Sequence, residues 1–367
     1  MTAAATPLLT GERLEAFGAE LDALRETHVR DLGAVDARYI RRIRHLVRWT
    51  EVLGRLALYG AAPAPWLLWP LWAFGVLLLG LSKIIDNMEL GHNVLHGQYD
   101  WTNDPSLQGD RFQWDHLCPP EWWRQTHNHS HHQWTNVRGK DDDVGYGVLR
   151  IFPEQRWTPF ALGQPLYAAA LAVFYQTGIA VQHLKLGRYV SGRRSWRHFL
   201  SDAKPLLRKL PWQGGKDYVV FPLLAGPFFL PVLLGNTAAN LLRNLWTFVV
   251  IFCGHFTADA ITFTPAQVKN ETRAGWYQRQ IRGSSNIRGG ALMDLLTGNL
   301  SRQIEHHLFP DLPARRYAAI AVEVQSICAR YGVPYNTGSL PRQFGEVLWR
   351  IFRHAFPSRP RLLPAAA

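Results

Sequence analysis

Fifteen histidines occur in this 367-residue chain, and their spacing is uneven. Three clusters stand out: Gly91-His92-Asn93-Val94-Leu95-His96, Thr126-His127-Asn128-His129-Ser130-His131-His132, and Gln303-Ile304-Glu305-His306-His307. His92 and His96 are four residues apart, so on a helix both rings leave the same face. His127 and His131 repeat that spacing, with His132 adjacent. The helix carrying them is expected to open at Pro119-Pro120, with Glu121 in its first turn. Gln303 sits one turn before His306 and His307 and can offer an amide oxygen or hold a water. Neutral imidazole is a good ligand for Fe, Zn, Cu or Ni. Seven imidazoles exceed what one tetrahedral zinc requires and suit two metals.

The remaining histidines carry less. His28, His45, His183, His198 and His354 stand alone and read as ordinary surface or core residues, as do His116 and His129. Cys118, Cys253 and Cys328 are too few and too scattered for a disulfide framework or a cysteine metal site. Ring N–H groups of metal-binding histidines are usually held by oxygen acceptors. Glu89, three residues before His92, and Glu305, beside His306, are candidates. Asp141, Asp142 and Asp143 could do the same but read rather as a solvated loop.

The elements that must position these rings are apolar. Leu56–Ser82 and Trp157–Gln182 hold no charged residue, and Tyr218–Ala258 holds one, Arg243. A bilayer crossing takes roughly 20 apolar residues. The first run, broken by Pro63 and Pro65, reads as one long span or as a hairpin whose first arm begins near His45 and carries Arg48, Glu51 and Arg55. The third reads as a hairpin, roughly 218–235 and 238–256, turning at Gly235-Asn236-Thr237. The turns near 60–66 and 235–240 lack Lys and Arg, whereas 183–216 carries nine and 259–367 fourteen. By the positive-inside rule both turns face outward, and the long polar segments and both termini are cytoplasmic. The run 157–182 then cannot cross and is expected to lie in, or dip into, the cytoplasmic interface. Fifteen Trp suit a membrane boundary. Residues 11–48 read as an amphipathic helix, and Met1–Thr10 lacks the layout of a cleaved signal peptide. His255, at the cytoplasmic end of the last span, matches the depth of the clusters and joins them as an eighth candidate ligand. The fold expected is therefore an all-α integral membrane protein. Two transmembrane hairpins, four spans in all, would support a cytosolic helical cap that carries a two-metal site. Residues 1–44 would form a cytosolic helical segment, 45–350 the membrane domain and 351–367 a tail. Disorder is expected only at the two Ala-rich ends.

The clusters resemble the three histidine boxes of the membrane fatty acid desaturase family, in order and spacing. The flanks Asn87-Met88-Glu89-Leu90-Gly91, Asn103-Asp104-Pro105, Asp143-Val144-Gly145-Tyr146-Gly147 and Leu308-Phe309-Pro310 agree with its bacterial acyl-CoA and acyl-lipid branch. The resemblance covers about residues 36–350. It implies a di-iron centre held by His92, His96, His127, His131, His132, His255, His306 and His307, with zinc as a substitute in a preparation. It also implies O2 as co-substrate and a fatty acyl chain as substrate. Gln303 departs from the pattern, since many animal-type members have a third histidine there. No His-Pro-Gly-Gly haem motif and no Gly-x-Gly-x-x-Gly occurs, so electrons are expected from an external donor, a ferredoxin or flavin-type reductase.

The net charge of +12 brings no zinc-finger or RNA-binding signature with it, and its basic residues flank the apolar runs. It therefore points to the bilayer and to an acidic electron donor rather than to nucleic acid. Arg188, Arg193, Arg194 and Arg197 are placed to meet a phosphate of coenzyme A or of a lipid headgroup. The acyl chain would enter a narrow apolar tunnel between cap and spans. Two other readings share features with this one. A membrane di-iron hydroxylase would act on the same alkyl or acyl chains and give an alcohol. A metal transporter would need polar residues along a path through the membrane, whereas these histidines lie at one face. The resemblance to the bacterial branch implies a bacterial inner-membrane location, and the charge pattern places the site on the cytoplasmic side.

Overall fold

A computed structural model describes residues 6–357. The extreme ends, including the last ten residues of the expected tail, lie outside it.

The first helix, α1 (Gly11–Arg30), ends at Asp31, and α2 (Ala34–Ala61) begins one turn later. The single helix expected over 11–48 is thus two. The break is stabilised by Asp36, which accepts from the Gly33 N–H at 3.1 Å and is clamped by Arg315 and Arg316. Helix α1 turns Phe17, Leu21 and Leu24 into a core with Tyr277, Ile281, Leu308 and Tyr317. A Cβ at Gly18 would come within 2.5 Å of Ala274 Cβ, so only glycine permits that approach. Helix α2 continues unbroken through residues 44 and 45.

The chain reverses through Pro63 and Pro65 into α3 (Trp69–Leu95), which packs back along α2. The first apolar run is therefore a hairpin rather than one long span. Gly54 and Gly75 set its spacing: a Cβ on either would stand 2.9 Å from a backbone nitrogen of the opposing helix. Small residues at such crossings let two helix backbones approach closely. Past Ile85 the helix widens into a π turn, Asp86–Gly91, before His92–Leu95.

The second hairpin differs from the expectation. Helix Phe199–Gly215 leads through Lys216–Val220 and Phe221–Leu224 to a reversal at Gly226-Pro227, where Gly226 has φ 56°. Helix Phe229–His255 then runs without interruption, so Gly235-Asn236-Thr237 is not a turn. Gly235 is there because Leu58 packs on it, 2.8 Å from where a Cβ would be. Buried Asn236 donates to the Asp217 carbonyl, and Thr237 bonds back to Leu233 within the helix. Helices Trp69–Leu95 and Gly226–His255 are long and apolar enough to cross a membrane.

Charged side chains tie the hairpins together internally. Lys83 Nζ lies 2.6 Å from Asp217 and 3.2 Å from Asp115, Arg55 reaches both Glu51 and Asp217, and Asn240 donates to Asp217. The outward faces are apolar instead: Leu56, Trp66, Phe74, Leu77, Leu224 and Leu230 are all exposed.

The run 157–182 forms two short helices, Gln164–Val173 and Tyr175–Gln182, bent at Phe174 and packed on Phe229–His255. At 10 and 8 residues neither can span a bilayer. The rest of the chain caps the helices. Strands β1 (Asn286–Arg288) and β2 (Thr337–Ser339) pair in parallel and join the third histidine cluster to the closing helix, Leu340–Ala355. That helix passes through residues 350 and 351 without a break.

Candidate metal centre

The three clusters and His255 meet where α3, the Pro120–Trp134 helical segment, Phe229–His255 and Gln303–Leu308 converge. The Nε2 atoms face one another. His92 and His127 are 3.3 Å apart, His127 and His132 3.2 Å, His131 and His255 3.2 Å, and His255 and His307 3.1 Å. Two principal groups can each hold a metal ion: His92, His96, His127 and His306, and His131, His255 and His307. His132 lies between them, grouped with His306 and His307.

The opposite nitrogens explain why these contacts are not ordinary hydrogen bonds. His92 Nδ1 faces Asn93 Oδ1 at 3.2 Å, His131 Nδ1 faces Asp141 at 3.1 Å, and His307 Nδ1 faces Gln280 Oε1 at 3.0 Å. His255 Nδ1 faces the Gly283 carbonyl at 3.4 Å. On these four rings an Nδ1–H that donates to its oxygen leaves the Nε2 lone pair free, so His131, His255 and His307 turn Nε2 lone pairs toward one another. Buried His96 Nε2 and His306 Nε2 have no protein partner at all. A cation resolves both facts. With metal–nitrogen bonds of ~2.1 Å, nitrogens this far apart subtend on the order of 100° at the metal, an ordinary ligand angle. Burial, reinforced by neighbouring rings, holds His132, His306 and His307 well below the usual imidazole range, so they stay neutral and can ligate. Burial also opposes charge on His131, but Asp141 outweighs it and raises that ring.

The oxygen acceptors differ from those expected. Glu89 is buried but bonds Tyr39 and Asn299, and Glu305 bonds Asn286 and Tyr335. Neither is brought to a ring nitrogen. Each braces the scaffold, and burial pushes the Glu305 carboxyl up to about 7 despite its two donors. Asp141 is not a solvated loop residue. It is buried, faces His131, and accepts from the Asn136 and Asp143 N–H groups. Gln280 carried no signal in the sequence, because it lies far from every cluster. Its amide also donates to the His132 carbonyl, and Arg279 beside it binds the carbonyls of Gln133 and Thr135. One helix thus staples the second cluster to the third.

Gln303 lies with its amide nitrogen 2.8 Å from His255 Nε2 while its Oε1 has no partner. As placed, the amide N–H donates to the His255 Nε2 lone pair, whereas a flipped amide would turn the oxygen inward, where it could join the rings around a cation. Gly254 makes room for it: a Cβ would stand 3.0 Å from Gln303 Cδ. A cavity opens beside the rings, walled by Met88, Trp123, Tyr146, Tyr175, Ile179 and Ile251. His116 joins its wall, stacked on Trp114, whereas His129 faces outward. Arg188 and Arg193 line a neighbouring basic cavity with Lys140 and Lys185. Arg194, paired with Asp202, lines an adjoining cavity with Arg188 and Lys185, and Arg197 lines none of these cavities.

Gln280→Leu and Asp141→Asn are each expected to cost ~10–100-fold in metal affinity or activity, since a mis-set ring is a poorer ligand. Metal per protein on purified variants checks this. Retention equal to the parent chain would reduce both residues to packing.

A sequence model of the fatty acid desaturase family matches residues 67–339, well over half of the chain. The chain belongs to that family and is an oxidoreductase, a fatty acid desaturase. Over 350 residues it is 43% identical to the NADPH-dependent stearoyl-CoA 9-desaturase of Mycobacterium tuberculosis, covering 93% of this chain and 80% of that one. It is 25% identical over 282 residues to the sn-1 linoleoyl-lipid 6-desaturase of Synechocystis, covering 73% and 76%.

Proposed function

We propose that the chain is a four-span membrane desaturase that forms a double bond in a fatty acyl-CoA, stearoyl-CoA at position 9, at a histidine-held di-iron centre. The observation that carries this reading is the convergence of eight imidazoles, six of them with Nε2 atoms facing one another, beside an apolar cavity. Iron bound there supplies, with O2 and two electrons, an oxidant able to take hydrogen from an unactivated methylene. The chain's own residues do the rest. Asp141, Gln280 and Asn93 fix the ring tautomers. Trp123, Tyr146 and Tyr175 shape the cavity and exclude water. Lys140, Lys185, Arg188 and Arg193 meet the phosphates of the carrier. The carrier and the position follow the 43% identical relative. Electrons come from a separate acidic ferredoxin or flavin-type reductase, drawn to the basic cytoplasmic face.

Two measurements test it. Lipids from cells expressing the chain, derivatised to locate the double bond, should gain 9-monounsaturated acyl groups. Hydroxylated chains instead would favour the hydroxylase reading. Reporter fusions after Ala64, Arg150, Leu200, Pro227 and Leu300 should report the outside only at Ala64 and Pro227. An outside signal at Leu200 would break the four-span arrangement.

A further inference from the structure

The closing helix, Leu340–Ala355, has two apolar faces where packing requires one. Gln343, Val347, Ile351 and Ala355 are buried, and Val347 and Ile351 share a core with Ala168, Ala172, Phe252 and Phe256. On the opposite side Leu348, Trp349 and Phe352 continue into Phe356 as a second stripe, with Trp349 63% exposed. Exposed Arg353 flanks it, beside Arg342, which is paired with Glu346. The turn Pro159–Gly163 packs against this helix and adds exposed Phe160 and Leu162.

The depth of the helix decides what covers the stripe. Phe229–His255 has 27 residues, so it is about 40 Å long. The hydrocarbon core is only about 30 Å thick, and headgroups take it to about 40–45 Å. The cytoplasmic end of this span therefore lies among headgroups. The closing helix sits at that level: Glu346 accepts from the Ala258 N–H, and Arg350 donates to the Ala258 carbonyl. A stripe of Trp, Phe and Leu flanked by arginine matches the chemistry of that layer.

We infer that the Leu340–Ala355 helix lies in the cytoplasmic leaflet, with Leu348, Trp349, Phe352 and Phe356 inserted at the headgroup boundary and Arg353 against anionic lipid. The inference rests on the membrane reading above. It is tested on the full-length protein in nanodiscs of phosphatidylcholine and phosphatidylglycerol. An environment-sensitive fluorophore is placed on Trp349→Cys or Phe352→Cys; the three native cysteines are buried. Leu71→Cys, on the outward face of α3, and Val322→Cys, exposed on the cap, serve as references. Nitroxide lipids should quench the labels at 349 and 352 several-fold more than the label at 322, and headgroup nitroxides more than deep ones. Labels at 349 and 352 that behave like 322 while 71 is quenched would overturn the inference and leave the spans intact. Loss of quenching at 71 as well would point to failure of the membrane reading itself. Shielding of 349 that follows protein concentration rather than lipid would assign the stripe to a second copy, and also overturns the inference.

Discussion

His306→Ala is expected to abolish double-bond formation and to strip most of the bound metal, iron in the proposed reading, from the purified protein. His306 is fully buried and belongs to two candidate ligand groups, with His92, His96 and His127 on one side and His132 and His307 on the other. Removing it opens both groups at once. Water entering in its place would be a weaker ligand in a pocket built for dry imidazole. Gln303→Leu provides the contrast. It removes an amide that faces His255 but leaves every ring in place, so a loss of roughly 10–100-fold is expected. Gln303→His should keep metal, since an imidazole is as able as an amide to ligate from that position. Iron per protein, with unsaturated product in expressing cells, reads all three. An active, iron-loaded His306→Ala would remove that ring from the centre. A wild-type Gln303→Leu would make Gln303 a wall residue.

Asp217→Ala should be the most damaging change away from the histidines. Its carboxylate receives Lys83 at 2.6 Å, Arg55 at 3.4 Å and Asn240 at 3.1 Å, all buried between the hairpins. Truncating one partner of a buried pair leaves the other charge without compensation and costs about 3–5 kcal/mol. Here two cations are left, although Asp115 still faces Lys83 and Glu51 still faces Arg55. The double variant Lys83→Met/Asp217→Ala should regain much of that loss, because it removes a stranded charge rather than creating one. Thermal unfolding in one detergent, across the wild type and the three variants, closes the cycle. A Lys83→Met/Asp217→Ala loss equal to the sum of the single losses would show that the pair contributes nothing beyond its separate contacts.

Much of this chain is legible one residue at a time. The spacing of His92 and His96, and of His127 and His131, places each pair on one helical face wherever the helix goes. The apolar runs, their prolines and the charge-poor first turn narrow the first run to one long helix or a hairpin, and the reversal through Pro63 and Pro65 decides for the hairpin. Local pattern fails where a distant surface sets the residue. Gly235-Asn236-Thr237 has the composition of a turn, yet it is helical, since Leu58 requires a glycine there and Asp217 offers Asn236 a partner. Glu89 and Glu305 lie next to ligands in sequence, but helix geometry points them at Tyr39 and Tyr335. Asp141 and Gln280 reach the rings only because a loop folds back and a helix crosses behind the second cluster. Sequence thus determined which side chains can ligate and which segments are apolar, since both follow from chemistry and short-range period. Only the tertiary structure decided which oxygens hold the rings and which glycines admit a neighbour, because those depend on contacts between residues far apart in the chain.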